Sequence, residues 1–391
     1  MIRMSESLHA MSIAQLAPLI VGKQLSPVEL TKETLRRIES FEPVIKAFIR
    51  ILADDAMEQA KLLEKEVLEG RCRGPLHGIP VAVKDMLQTR GIATTAGSKV
   101  LEHWIPDEDA TVISKLKQAG AIVIGKTNLH EFAMGATTEN PHYGTTRNPW
   151  NPAKIAGGSS GGSAAALSAG MCFGAIGTDT GGSIRLPSAL CGTVGLKPTY
   201  GRVSKHGCVT FSWSHDHVGP MARTVRDTAA MLSAIAGYDP KDVSTSKRPV
   251  PAFLEQPLED LRGVTVGICR EYFFEDVNPE IRDAVENAIS RMEQLGAKIV
   301  ELNIPNLSEA QWAAPIITQS ESYAFHKSMF MKAEALYGED VKIRLQKARE
   351  IPAHDYVQAQ QIRRRFIAHT LAVMENVDLI AAPMNHNPPL D

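Results

Sequence analysis

Three residues of this 391-residue chain could together activate a nucleophile. Lys84 ends the apolar run Ile79-Pro80-Val81-Ala82-Val83. Ser159 lies in Gly157-Gly158-Ser159-Ser160-Gly161-Gly162-Ser163, and Ser183 in Asp179-Thr180-Gly181-Gly182-Ser183-Ile184-Arg185. A serine hydroxyl is a weak nucleophile until a base takes its proton. Lysine can be that base if burial lowers its pKa from the ordinary value near ~10.4. The uncharged, Gly- and Ala-rich surroundings of both serine loops suit such burial. Gly181-Gly182 leaves backbone N–H groups unobstructed just before Ser183, as an oxyanion hole requires. Ser-Lys variants of the catalytic triad follow this logic. Singly, a lysine at a strand end is most often a solvated charge, and a serine among glycines a turn. Asp85 adjoins Lys84, but neighbouring side chains on a strand point to opposite faces, so the carboxylate need not hold the lysine charged.

Two shorter strings compete with this constellation. Gly120-Ala121-Ile122-Val123-Ile124-Gly125-Lys126-Thr127 satisfies the P-loop pattern. A P-loop is a flexible turn that cradles phosphate and opens a helix, whereas Ala-Ile-Val-Ile wants to be a buried strand. Gly158-Ser159-Ser160-Gly161-Gly162 fits G-x-S-x-G centred on Ser160. A nucleophile elbow needs a strand running straight into it, and Asn151–Ala156 reads as a poor strand.

The elements that must position these residues alternate. Ser26-Pro27-Val28-Glu29 is a capped helix start with Glu29 completing a capping box. A second helix covers about 53–68, with Ala56, Ala60, Leu63 and Val67 on one face. The strand before Lys84 follows, then a helix through Val112, Ile113 and Leu116, and a strand at Ala121–Ile124. Later, Gly263–Ile268 reads as a strand, Pro279–Leu295 as a helix and Lys298–Leu302 as a strand. Residues 305–374 are mainly helical, and Asp378–Ala382 reads as a buried strand in the sheet. This alternation predicts an α/β fold with a mixed central sheet covered by helices on both faces, as one domain over 1–391. The block 157–199 is too apolar and too varied for a flexible linker. Its glycines mark backbone that approaches something closely or takes positive φ.

Composition narrows the function classes. Lys and Arg number 42 against 44 Asp and Glu, a net charge of −2. Nucleic-acid or anionic-membrane partners would favour a basic excess, so a small-molecule substrate is expected and neither of those. No apolar run reaches the roughly 20 residues of a membrane span, and the first residues lack the apolar stretch of a secretory leader. Cys72, Cys172, Cys191, Cys208 and Cys269 are odd in number and scattered. That pattern predicts free thiols, a cytoplasmic protein and no zinc; no metal or cofactor is expected.

Lys84-Asp85, the run GGSSGGSAAA from Gly157 and the run GTDTGGSIRLPSALCGTVGLKPTYGR from Gly177 resemble the amidase signature family. Gly125-Lys126-Thr127-Asn128 and Gly219-Pro220-Met221-Ala222-Arg223-Thr224 do so too. The resemblance is strong over about 74–230 and weaker over nearly the whole chain. It implies hydrolysis of a carboxamide C–N bond through an acyl-enzyme. Ser183 would be the nucleophile, Ser159, after a cis peptide bond, the proton relay, and Lys84 the base. Backbone amides of Thr180, Gly181, Gly182 and Ser183 would form the oxyanion hole, and Ser160, Asp179 and Arg185 would brace the two loops.

Two departures from the family pattern stand out. Family members usually continue past the strand at Asp378–Ala382, so the chain reads as shortened at its C-terminus. The open sheet edge this leaves predicts self-association, a homodimer being the simplest form. Leu186 replaces the glutamine often found after Ser-Ile-Arg in the A subunits of tRNA-dependent glutamine amidotransferases, and Ser320–Tyr323 lacks their glutamine-site pattern. Both weigh against a subunit of that kind, the first alternative to a free-standing amidase. The second alternative is an inactive homologue that only binds. A fluorophosphonate probe followed by peptide mapping should label Ser183; label on Ser160, or on no serine, counts against the assignment.

Overall fold

The computed structural model describes residues 8–254 and 258–391. Residues 1–7, on which the reading of the leader partly rests, lie outside the described residues. Where the sequence reading treats 1–391 as one domain, the chain divides into two compact units. One comprises Met1–Leu254, Lys327–Lys342 and Asp391; the other comprises Glu255–His326 and Ile343–Leu390.

The chain runs through α1 (Ile13–Val21), α2 (Pro27–Ile45), β1 (Phe48–Ile51), α3 (Ala53–Leu68), β2 (Pro80–Lys84), α4 (Thr111–Gln118) and β3 (Ile122–Thr127). Two antiparallel ribbons follow, β4 (Glu139–Asn140) with β5 (Gly144–Thr145), then β6 (Arg147–Asn148) with β7 (Asn151–Ile155). Next come α5 (Gly161–Ser168), β8 (Gly174–Asp179), α6 (Arg185–Cys191), β9 (Val194–Gly195), β10 (His217–Ala222) and α7 (Val225–Ile235). The remainder is β11 (Thr265–Ile268), α8 (Pro279–Gln294), β12 (Lys298–Glu301), α9 (Leu307–Ala333), α10 (Glu339–Arg349), α11 (Ala353–Met374) and β13 (Leu379–Ile380).

The first unit is built on a six-stranded sheet in the order β1-β3-β2-β8-β10-β9. Strand β2 runs parallel to both β3 and β8, while β1 and β10 are antiparallel to their neighbours, so the sheet is mixed as expected. Its inner strands β2, β3, β8 and β10 are buried at nearly every position because both faces are covered. Successive side chains alternate between two cores. Val81, Val83, Val123, Ile176 and Val218 enter one, with α1 and α4; Ala82, Ile122, Ile124, Ala175 and Met221 enter the other, with α3 and α5. The predicted face of α3, Ala56, Ala60, Leu63 and Val67, is its buried face.

The second unit carries a separate parallel sheet, β12-β11-β13. This corrects the placing of Asp378–Ala382 in the central sheet: Leu379 and Ile380 pair with Val266 and Gly267 of β11 instead. Ladder register, a long-range property, decides this. Segment 151–155, read as a poor strand, is β7, but it belongs to a two-stranded ribbon and not to the sheet. A nucleophile elbow therefore has no sheet strand behind it. At the start of α2, Ser26 Oγ accepts from the N–H groups of Val28 and Glu29 and donates to Glu64 of α3. A reciprocal capping box forms instead at α1, between Ser12 and Gln15. Among the described residues no helix is long and apolar enough to cross a membrane.

The P-loop-like string is β3 and the residues leading into it. Lys126 is wholly buried on this strand. Its Nζ lies 3.1 Å from Asp85 Oδ1 and donates to Leu87 O at 2.6 Å, Thr94 Oγ1 at 3.0 Å and Thr89 Oγ1 at 3.2 Å. Burial pulls the lysine pKa down and the Asp85 charge works against that. The pair ties the loop after Lys84 to the centre of the sheet. Lys126→Met should leave the Asp85 carboxylate buried without a counter-charge and cost about 3–5 kcal/mol of stability. Denaturant titration of the parent and the variant checks this; a loss under about 1 kcal/mol would mean that the pair is dispensable.

Candidate active site

Lys84 is the last residue of β2 and lies on the same face of that strand as Ala82, the face covered by α5. It is wholly buried. Its Nζ donates to Ser159 Oγ at 2.7 Å, Ser160 Oγ at 3.0 Å and Thr178 Oγ1 at 2.7 Å. Three N–H donors thus meet three hydroxyls, and among the described residues no carboxylate touches the ammonium. Burial lowers the lysine pKa to about 7; Cys208, Asp179 and Asp216 resist that through space. Asp85 turns away, its Oδ2 accepting from Thr95 N at 2.9 Å and Thr95 Oγ1 at 2.6 Å.

The hydroxyls differ in what else they do. Ser160 Oγ donates to Thr178 O at 3.1 Å, and Thr178 Oγ1 donates to Met86 Sδ at 3.8 Å. Both therefore present lone pairs to the lysine. Among the described residues Ser159 Oγ has no partner besides Lys84. When the amine is neutral it keeps two N–H donors, enough for Ser160 and Thr178, and its lone pair is left for the Ser159 proton. The hydrogen bonding of Ser159 thus differs from that of Ser160, whose proton is committed to Thr178 O.

The loop that carries Ser159 is held by small residues. The peptide bond between Gly158 and Ser159 is cis. Ser159 O accepts from His130 N at 3.2 Å and from Thr138 Oγ1 at 3.4 Å. Helix α5 starts directly behind it, and a Cβ on Gly162 would come within 2.4 Å of the carbonyl oxygens of Ala47 and Asn128. Only glycine allows that approach.

Ser183 stands in the turn between β8 and α6, half-buried. Its carbonyl accepts from Ser160 N at 3.1 Å, which joins the two serine loops through Ser160. Asp179 braces the turn from within. It accepts Gly182 N at 2.8 Å, Ile184 N at 3.2 Å, Arg185 Nη2 at 2.9 Å and Arg185 Nε at 3.0 Å. Burial opposes the charge on Asp179, but the guanidinium and the two N–H groups prevail and hold the carboxyl below its usual range. Gly182 has φ +131°, a conformation that L side chains rarely adopt. Its N–H is engaged by Asp179, so one of the four predicted oxyanion donors is already committed within the turn. A Cβ on Gly181 would meet nothing within 4 Å, so this side of the turn is open.

All the predicted site residues thus gather at one end of the central sheet. Reading the sequence missed Thr178 and Asp216. Thr178 had a weak signal, a polar residue inside a buried strand next to Asp179. Asp216 had none, since it lies far downstream in a segment without a pattern. The geometry predicts a pH dependence. A Lys84 that titrates near 7 serves as a base only above that pH, so kcat/KM should rise with pH through one ionisation near 7. Lys84→Ala should remove this limb and most of the activity; near-parental activity with the same profile would make the lysine structural.

Residues 29–391 match the Amidase family. The chain is 41% identical over 408 residues to the A subunit of the glutamyl-tRNA(Gln) amidotransferase of Lawsonia intracellularis, covering 98% of this chain and 84% of that protein. One similar solved structure is described as a vestigial protein complex that reveals the evolutionary origins of an s-triazine catabolic enzyme. It superposes with a TM-score of 0.93 at 33% identity, covering 97% of this chain and 82% of the other. The native peptide amidase from Stenotrophomonas maltophilia superposes with a TM-score of 0.83 at 31% identity, covering 97% and 86%. With a family match over most of its length and relatives of this similarity, the chain belongs to the amidase signature family.

Proposed function

We propose that this chain cleaves a carboxamide C–N bond with Ser183 as nucleophile, Ser159 as proton relay and Lys84 as base. The observation that carries the reading is the contact between the buried Lys84 Nζ and Ser159 Oγ at 2.7 Å, in a site where no carboxylate fixes the lysine charge. Neutral Lys84 takes the Ser159 proton while Ser159 takes that of Ser183. Ser183 Oγ then bonds to the amide carbon, and backbone N–H groups of Thr180, Gly181 and Ser183 receive the oxygen that becomes negative. The proton returns through Ser159 to the nitrogen as the C–N bond breaks. Water then cleaves the ester and restores Ser183.

Two settings suit this chemistry, a free-standing amidase and the A subunit of a glutamine-dependent tRNA amidotransferase. Leu186 and the segment Ser320–Tyr323 weigh against the second, but the curated relatives favour it over the free-standing enzyme. Two local differences carry less weight than 41% identity spread over 98% of the chain. In that setting the amide is that of glutamine and the ammonia passes on to a partner protein. Ammonia release decides. The isolated chain should release little from glutamine or from simple aliphatic, aromatic and aminoacyl amides. Adding the other components of such an enzyme and the charged tRNA should raise glutamine cleavage at least about tenfold, a change of about 1.4 kcal/mol in barrier. Fast release from a simple amide by the chain alone would instead establish a free-standing amidase.

A further inference from the structure

Asp216 lies beside the turn that carries Ser183. Strand β10 pairs with β8 so that His217 faces Asp179, which makes Asp216 and Thr180 neighbours just past the end of the ladder. Thr180 Oγ1 donates to Asp216 Oδ1 at 2.5 Å. The same carboxylate accepts Phe211 N at 2.9 Å and Ser212 N at 3.0 Å. It thus clamps the turn at 211–216 and the first residue of the oxyanion turn onto one buried group. Asp179 holds the other side of that turn through Gly182 and Ile184. Without Asp216, the segment Thr180-Gly181 would be fastened only at its ends, and the exposed Gly181 contributes no side-chain contact.

We infer that Asp216 is a positioning residue of the active centre, fixing the oxyanion turn through Thr180. The inference rests on the proposed amide cleavage for its kinetic part only.

The test compares Thr180→Val, Thr180→Ser and Asp216→Asn with the parent, by kinetics on the best amide found and by hydrogen exchange of the amides at 180–184. Losing a hydrogen bond to a charged acceptor predicts that Thr180→Val lowers kcat about tenfold or more with KM near parental and the acid limb unmoved. Thr180→Ser, which keeps the hydroxyl, should recover most of the rate lost in Thr180→Val. Asp216→Asn should lower kcat about as much as Thr180→Val, again with KM near parental, a split that a merely structural loss would not give. Exchange at 180–184 should quicken about tenfold in Thr180→Val and Asp216→Asn. Parental kcat in Thr180→Val or in Asp216→Asn overturns the inference. If the parent cleaves no amide either alone or with the other components of a tRNA amidotransferase, the proposed function falls and exchange decides alone: unchanged exchange in both variants sinks the role of Asp216.

Discussion

A lysine buried with no carboxylate in contact is the constraint around which the active end of this fold is arranged. An ammonium taken out of water needs its donors satisfied, and at Lys84 that task falls to three hydroxyls. Hydroxyls satisfy the donors without holding the charge as a carboxylate would, so the balance between the two protonation states stays near neutrality. Every element that brings Ser159, Ser160 and Thr178 to one nitrogen serves this balance. Strand β2 must end at Lys84, β8 must run beside it, and the loop into α5 must pass close over both.

Lys126 is the informative contrast. It is as deeply buried as Lys84, on the neighbouring strand and in the same sheet. Its nitrogen meets the Asp85 carboxylate and a carbonyl as well as two threonines. A contacting negative charge favours the charged form, so this lysine is suited to holding a loop in place and not to exchanging protons. Adjacent residues in sequence, Lys84 and Asp85, are thereby assigned to opposite tasks by the alternation of a strand. The aspartate that could have fixed the charge of Lys84 is occupied elsewhere.

The serine loops show how composition serves geometry. Seven of the eight residues of α5 are buried, and all of those but Leu167 are Gly, Ala or Ser, which lets the helix lie close against the sheet. Close packing of small residues leaves little room for movement in the loop that carries Ser159. The Ser183 turn is braced differently, by the carboxylates of Asp179 and Asp216, which accept backbone and side-chain donors and pin the turn from two sides. The charge of Asp179 is in turn balanced by Arg185.

Much of this was legible in the order of residues. Alternating apolar runs indicated β2, β3, β11 and β12, helical spacing indicated α3 and α8, and the glycine–serine runs marked both loops, because period and turn chemistry are local properties. The sequence by itself determined the mixed α/β class and the family, and it marked the loops of Ser159 and Ser183 and the strand end at Lys84. It also placed Asp85 off the face of Lys84. What required tertiary structure was everything set by long-range register. Strand β13 joins β11 and not the central sheet, and Thr178 completes the shell around Lys84. Asp216 reaches Thr180 across a ladder from 36 residues away. The reason is physical: side-chain period is written along the chain, whereas which strand lies beside which, and which carboxylate faces which hydroxyl, is settled only when the sheet closes.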